Sequence, residues 1–579
     1  MLSLATLLIA IPLAASFAFQ AAPSARLVAS SQNVVPSVDS ARLLRGARSA
    51  QATFERTRRA NLPLDTRGSA GRCDVRVGRF CYWWDDGEFP APAEMPKTKA
   101  ARARLLDQLA KAADALPGDR WIVGQRVRYL VEDDRALDAV TVARDCRADA
   151  SWCGALAGFA YHAAADFRRS DSAFSAALSA MSPRQRCQWN DISLLLEGDA
   201  RKRYERLPCE QRGAFEARFW ALSRPLFLLP ANDLRTEHFA RLTMAELIRT
   251  SRYPHDMVWG DDSQELLVRY GWETAWARTE PTGLSSADVH VVGHEPSPAF
   301  DFVPDVGALA SPDSADPSDW ELHDRLAQSR YAPRYARSVT DLDHQIAFFR
   351  RGDSALVVAA FDAGSQTEFT RDSIAAAVAV APADAPDSVR VASDPLARRH
   401  GVLKTEAPWE PLLVSVEVRD STAKRVTRAR GVARPPESRG RVTISDLLLF
   451  DDPTTLPTSL DEALPRARGS MRVDRRIPVG VYWEMYGVDA TDETLAYRLT
   501  VTRERAPWYR RAAEKVGVVE RSAPVRMAWD EPSARPGAAR SRALAIDFST
   551  LPQGRYRIEL TLEVGGLTVA RANRTLEVR

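Results

Sequence analysis

The chain has 579 residues, 45% hydrophobic and 27% charged, an ordinary globular balance that at roughly 150 residues per domain predicts three to four domains. That balance excludes a disordered, collagenous or multi-span membrane chain. The 79 Lys and Arg against 76 Asp and Glu leave a net charge of +3, too little over this length to point to nucleic acid or an anionic membrane as a partner.

The N-terminus carries an apolar run from Leu2 to about Ala15, followed by small residues that offer cleavage near Ala18 or Ala22. This predicts a signal peptide over residues 1–22 and an exported chain, the alternative being an uncleaved anchor. The run is shorter than the ~20 apolar residues of a spanning helix and no later stretch is longer, so no transmembrane segment is expected after signal removal. Six cysteines fall in three local pairs, Cys73/Cys81, Cys146/Cys153 and Cys187/Cys209. Disulfides are expected outside the cytoplasm, the local pairing resting on loop closure. Neither Cys-x-x-Cys nor a close Cys/His cluster is present, so no metal and no other cofactor is expected.

Residues 23–95 hold a helical stretch at 38–59 and then the loop GRCDVRVGRFCYWWDDGE. In it Tyr82, Trp83 and Trp84, beside Asp85 and Asp86, suit either stacking on a sugar ring or plugging against neighbouring helices. Residues 96–210 have helical periodicity and match themselves at an offset of 34, pairing Gly124 with Gly158, Val140 with Phe174 and Ala143 with Ala177. That offset is the period of the tetratricopeptide helix-turn-helix repeat. The stretch ADFRRSDSAFSAALSAMSP, 165–183, resembles the second half of one, with Phe174, Ala177, Leu178 and Pro183 near its key places. Two copies need capping, which predicts flanking helices at 99–117 and 184–206, with Cys146 ending one helix and Cys153 beginning the next.

Beyond residue 278 the chain turns rich in Pro, Ser, Asp and Gly, which predicts a linker over 281–341. The period then becomes two, predicting strands in ALVVAAF (355–361), IAAAVAVA (374–381), LLVSVEVRD (412–420), RVTISDLLLF (441–450), VGVYWEMYGV (479–488), LAYRLTVTRE (495–504), YRIELTLEV (556–564) and LTVARANRTLEV (567–578). A break at 456–470 divides them into two antiparallel β-sandwich domains, 342–465 and 466–579. The expected fold class is multidomain α then β: a TPR-like helical hairpin array, a helical subdomain over 211–280, and the two sandwiches.

The segment FEARFWALSRPLFLLPANDLRTEHFARL, followed by YPHDMVWGDDSQELLVRYG, resembles the GWxTD domain of bacterial exported proteins, whose activity is unassigned. It shares Phe219-Trp220, Asn232 ahead of Glu237, Phe239 and Arg241, and a Trp/Gly/Asp cluster leading into an Arg269-Tyr270-Gly271 strand end. Trp259, Gly260, Asp261 and Asp262 stand where the family has Gly-Trp-x-Thr-Asp, the pattern of a divergent relative. The resemblance implies accompanying β-sandwich modules and supplies no catalytic residue. It marks Trp220, Asn232, Glu237, Arg241, Trp259, Asp261, Asp262 and Tyr270 as candidate binding residues. From the residues alone, Phe215, Phe219, Phe239, Leu242, Met244 and Leu247 form an apolar face with Glu237 and Arg241 as an i,i+4 helix pair. Asp261 and Asp262 read as a cap or turn before a helix or strand, QELLVRY, or with Glu265 as a cation or sugar site.

Chemistry is sparse. In HVVGHE the Glu295 follows His290 and His294 rather than lying between them, and Gly293 and Pro296 oppose the helix of a zincin. The nucleophile elbow, phosphate-binding loop and dinucleotide fingerprint are all missing, and oxidised thiols leave no cysteine nucleophile. The sequence therefore predicts an exported protein–protein interaction or scaffold protein of the cell envelope, binding a protein or peptide partner through its helical repeats. The alternative is a hydrolase or carbohydrate-active enzyme with a cleft near His290 to Asp305.

Overall fold

The computed structural model describes residues 38–65, 73–84, 87, 90–253, 258–279, 291–364, 374–438, 442–487, 494–504, 524–532 and 539–579. The signal peptide expected over 1–22, with Asp85, Asp86 and His290, lies outside the described residues. The chain has an N-terminal helical part followed by a β-rich C-terminal part of several sheets.

Eleven helices precede residue 271 among the described residues: α1 (Val38–Ala60), α2 (Pro96–Ala115), α3 (Arg120–Glu132), α4 (Ala136–Arg144), α5 (Ala150–Ala163), α6 (Phe167–Ala180), α7 (Pro183–Asn190), α8 (Gly198–Arg206), α9 (Gly213–Leu222), α10 (Asp233–Arg249) and α11 (Asp261–Tyr270). Several start where a short polar side chain precedes the apolar run, because its oxygen satisfies first-turn amides that have no helical partner. Asp119 accepts from the amides of Trp121 and Ile122, Asp149 from Trp152, and Asp166 from Arg169. Ser182 and Gln185 make a reciprocal capping box at α7.

The helices α3–α4 and α5–α6 are successive hairpins with matching turns. Asp134 and Ala165 both take a left-handed φ, 57° and 59°, and the next amides, of Arg135 and Asp166, close on the carbonyls of Leu130 and Tyr161. These equivalent positions are 31 residues apart (134 to 165), so the sequence self-match at 34 is displaced from the structural repeat by three residues. A slip of three keeps a side chain on the same helix face, which is why the pattern of small and large residues could not fix the register. Gly124 and Gly158 accordingly do different work: a Cβ on Gly158 would lie 2.7 Å from the Phe174 ring, whereas one on Gly124 would meet Leu247 of α10 at 2.7 Å.

All three cysteine pairs form as expected, and no cysteine is free. Cys73–Cys81 closes the hairpin of β2 (Val75–Val77) and β3 (Phe80–Tyr82), while Cys146–Cys153 clamps the turn between α4 and α5. Cys187–Cys209 ties α7 to the turn after α8. A small sheet joins β1 (Leu64–Asp65), β4 (Ala275–Thr279) and β5 (Val291–His294) in the order β1–β4–β5. Among the described residues no helix is long and apolar enough to cross a membrane.

Three expectations are corrected. Helix α10 buries more than the one apolar face read from the sequence: 13 of its 17 residues are buried, because it runs across α3, α5 and α6 and is covered by α11. The chain itself thereby covers the faces of α3, α5 and α6 that meet α10. Second, residues 291–341 are not a linker. Phe300, Phe302, Leu309 of α12 (Val306–Ala310), Trp320, Leu322, Tyr331 and Tyr335 are all buried, in one core with Tyr204 and Phe219 of the helices and Val339, Leu413 and Val426 of the sheets. Large side chains spaced irregularly along a turn-rich chain leave no period to read, yet each fills space between its neighbours.

Third, the β-part is not two stand-alone units divided at 456–470. One sheet has the order β10–β9–β12–β13–β6, and a second the order β11–β8–β7. Their strands are β6 (Ser338–Asp341), β7 (Asp343–Arg351), β8 (Ser354–Asp362), β9 (Ile374–Pro382), β10 (Arg390–Ala397), β11 (His400–Pro408), β12 (Leu412–Asp420) and β13 (Arg425–Ala433). Then follow β14 (Glu437–Ser438), β15 (Thr443–Ile444), β16 (Leu448–Phe450), α13 (Leu460–Ala463), β17 (Arg472–Val473), β18 (Val479–Tyr486), β19 (Thr494–Arg503), β20 (Val525–Pro532), β21 (Arg540–Ile546), β22 (Gly554–Val564) and β23 (Leu567–Val578). In a third sheet β18 pairs with β15, β16 and β21, and in a fourth the order is β20–β19–β22–β23 with β14 and β17 on the far edge of β23. The expected strand at 441–450 is thus broken into β15 and β16 and belongs with the second group.

The strands β7 and β8 explain the sharing. Phe348, Val357 and Phe361 point into a core with β9 and β12, while Ala347, Phe349 and Val358 point the other way into a core with Leu448, Phe450, Leu460 and Tyr482. A sheet buried on both faces needs apolar residues at every position, hence the unbroken run in β8. Replacing Gly158 by Val should destabilise the chain by about 1–3 kcal/mol through overpacking against Phe174. Urea denaturation checks this, and an unchanged midpoint would mean that α5 and α6 do not approach as described.

Candidate functional site

The residues marked out by sequence converge on α10 and α11. Asn232 caps α10 by accepting from the Arg235 amide, and its Nδ2 donates to the Trp220 carbonyl at 2.6 Å. Trp220 is buried, edge-on to Phe219 at 4.9 Å and tilted on His238 at 5.4 Å. One turn into α10, Glu237 accepts from Arg241 Nε at 2.7 Å and lies 2.7 Å from His162 Nε2 on α5. Arg241 Nη1 donates to the carbonyls of Val268 and Arg269 at the end of α11, and its Nη2 donates to the Arg330 carbonyl at 2.6 Å. The expected i,i+4 pair of Glu237 and Arg241 forms, and it is enclosed, with Arg241 only 3% exposed.

Burial alone would raise the Glu237 carboxyl, but Arg241 and His162 outweigh it and hold it at about 2. One turn earlier burial pushes Asp233 up to about 6, although the Tyr335 hydroxyl donates to it at 2.9 Å and His162 also lowers it. Burial, with Arg241 adding to it, also pushes His238 down to about 3.

Tyr270 stacks on Tyr82 of the disulfide hairpin, rings 3.7 Å apart and 8° from parallel, and its hydroxyl donates to the Ala327 carbonyl. The plugging role read for the aromatic cluster holds for Tyr82, which is buried. The segment QELLVRY is helix, and Gly271, at φ 100°, follows the end of α11 where a strand end was expected. Trp259 stands edge-on to Tyr253 at 6.1 Å. Asp262 takes both Nε and Nη2 of Arg79, at 2.7 and 2.8 Å, and those bonds hold its carboxyl well below the usual range. Glu265 pairs with Arg269 at 2.8 Å, and Asp261 is an exposed first-turn acid of α11. Among the described residues these three acids form no group placed to hold a metal ion. Asp262 instead pins the hairpin loop to α11, under Gly78.

A second neighbourhood lies where the alternative placed a cleft. His294 Nε2 is 3.5 Å from Asp65 Oδ2. Next to it, burial and then the Glu273 carboxylate push Glu295 up to about 8, and Glu273 itself, raised by burial, accepts from the Tyr253 hydroxyl at 3.1 Å. Burial also pushes Asp301 up to about 8, although it accepts from the Val303 amide at 2.9 Å. Glu273 and Asp301 carried no signal in the sequence, because each is an isolated acid whose surroundings come from distant segments. Among the described residues no group of His, Cys, Asp and Glu is placed to hold a metal ion. A 520 Å³ cleft nearby is lined by Asp74, Arg76, Glu197, Arg201, Arg269 and Gln328, and a 750 Å³ cleft lies between the two groups of sheets. None of the eight residues marked out by sequence lines either cleft.

No family model matches the chain, and no curated protein matches it. Among solved structures, the crystal structure of red sea bream transglutaminase is similar over 45% of this chain at 11% identity and a TM-score of 0.12, and the chain spans 36% of that protein's length.

Replacing Glu237 by Gln should cost about 3–5 kcal/mol, since it leaves Arg241 enclosed without its carboxylate. The pH dependence has a definite sign. A carboxyl lowered from its ordinary 4.5 to about 2 on folding stabilises above pH 4.5 and loses that contribution as pH falls to 2. Between those limits urea titrations of the native chain should lose stability faster than those of the Gln variant, and parallel curves would remove Glu237 as the cause.

Proposed function

We propose that the protein is an exported protein–protein interaction or scaffold protein of the bacterial cell envelope. In this reading the hairpins are TPR-like, the segment around α10 and α11 is GWxTD-like, and the sheets pair as sandwiches that space and present surfaces. The observation that carries it is the seating of α10: the faces of α3, α5 and α6 have the shape and apolar chemistry to hold a helix, as Leu247 against Gly124 illustrates. With that face filled from within, a protein or peptide partner meets the outer surface of the helical hairpins. Three closed disulfides suit an oxidising compartment. Neither nucleic acid nor a cofactor enters this reading.

A second reading, a hydrolase or carbohydrate-active enzyme, is favoured by one observation: Glu295 and Asp301 hold their protons near neutral pH, as a general acid must. The two readings part in one experiment. A photo-cross-linker at Leu137, 76% exposed on α4, should capture a discrete envelope protein, while the same group at Leu326, 66% exposed outside the helical array, should not capture it. Absence of any adduct, together with turnover of a glycan or peptide that Glu295→Gln abolishes, would replace the first reading with the second.

A further inference from the structure

The strand β23 pairs with β22 along its whole length, but its other edge is only partly covered. There β14 pairs with Ala570 and Arg571, and β17 with Glu577 and Val578. Among the described residues, no strand pairs with 572–576 on that side. The amides of Glu577 and Arg579 donate toward β17, to the carbonyls of Met471 and Val473, both at 2.9 Å. Main-chain groups alternate in direction along a strand, so those of Asn573 and Thr575 face the same open edge. The β14 pairing stops at Glu437, preceded by Pro435 and Pro436, which have no amide with which to continue a ladder.

The facing wall repeats the arrangement. On β13, β6 covers only Arg425 to Arg428, and the Leu342 amide takes the Arg428 carbonyl, leaving 429–433 without a strand on that edge among the described residues. The 750 Å³ cleft is lined by both uncovered stretches, with Ile346 and Met471, partly buried, between them. Five arginines and three carboxylates line it. Arg574 donates from Nε to the Leu447 carbonyl at 2.9 Å, while its buried Nη2 has no hydrogen-bond partner. Two uncovered strand edges, an excess of positive charge and a guanidinium that faces Asp446 but has one nitrogen without a hydrogen bond describe an occupant by its chemistry.

We propose that this cleft is a strand-addition site, in which an extended acidic peptide of about five residues fills the gap between β14 and β17. Its main chain bonds to Asn573 and Thr575, and an acidic side chain sits at Arg574. The site stands whether or not the helical array binds a partner, so the two proposals fail separately.

The probe is a phage-displayed library of random peptides about nine residues long, selected on the full disulfide-bonded chain. Enriched peptides should carry an acidic residue and bind the Asn573→Pro/Thr575→Pro double variant at least about ten-fold more weakly, roughly the effect of one lost hydrogen bond. Proline is tolerated on an open edge, and thermal melts of the variant check its fold. On the unaltered chain, N-methylating alternate residues of the best peptide should abolish binding, while methylating the intervening ones should not. Arg574→Gln should weaken acidic peptides and leave their Gln analogues unchanged. The proposal fails if no peptide is enriched on the native chain over the double variant, or if N-methylation has the same effect at every position. It fails equally if the native chain is a dimer that the double variant converts to monomer, since the occupant is then a second copy.

Discussion

The guanidinium of Arg241 is the point on which the helical half depends. From the middle of a buried helix it neutralises Glu237, takes up the Val268 and Arg269 carbonyls in the last turn of α11, the second of which also accepts the Arg330 amide, and holds the carbonyl of Arg330 in the segment leading to the sheets. A helix end buried without partners is costly, and a planar donor fork can serve several acceptors in a way that an ammonium cannot. Three pieces of chain far apart in sequence are thereby placed relative to one another, and the Tyr82–Tyr270 stack brings the disulfide hairpin to the same place.

The same device recurs where parts of the molecule meet. Arg430 and Arg428 on β13 donate to the carbonyls of Leu222, Arg224 and Pro225 in the turn after α9, while Glu417 on β12 accepts the Leu228 amide and pairs with Arg430 at 3.3 Å. The first sheet is thus keyed into the helices by side chains reading an irregular backbone. Between α1 and α3, Arg58 and Arg128 share Glu55 and Glu132 in an enclosed cluster, and Tyr129 donates to Glu55 at 2.6 Å. Charge enclosed and paired in this way, here with Glu55 Oε2 and the Nε and Nη1 of Arg58 left without a hydrogen bond, specifies one arrangement more than it adds net stability.

Much of the architecture was legible beforehand for reasons of local physics. A cysteine pair seven to 22 residues apart closes a short loop wherever it lies, and helix caps and alternating strands are decided within a few residues. The strands missed include β10 and β13, whose charged and small residues carry only a weak alternating pattern, and β20, whose Val525, Met527 and Trp529 do alternate with Arg526, Ala528 and Asp530. The candidate site fared less well. Asn232, Glu237 and Arg241 were marked as candidate binding residues, but their burial was invisible, since nothing in α10 records that α5, α11 and residue 330 will cover its polar side.

The order of α then β, the three disulfides and the main strands are consequences of contacts between near neighbours, and so could be read along the chain. The 31-residue hairpin repeat, the conversion of a turn-rich stretch into core, the sheet shared by two cores and the elevated carboxyls of Glu295 and Asp301 arise from long-range packing. Each of these depends on what distant segments remove from water or leave uncovered, and desolvation is a property of the assembled chain rather than of any stretch within it.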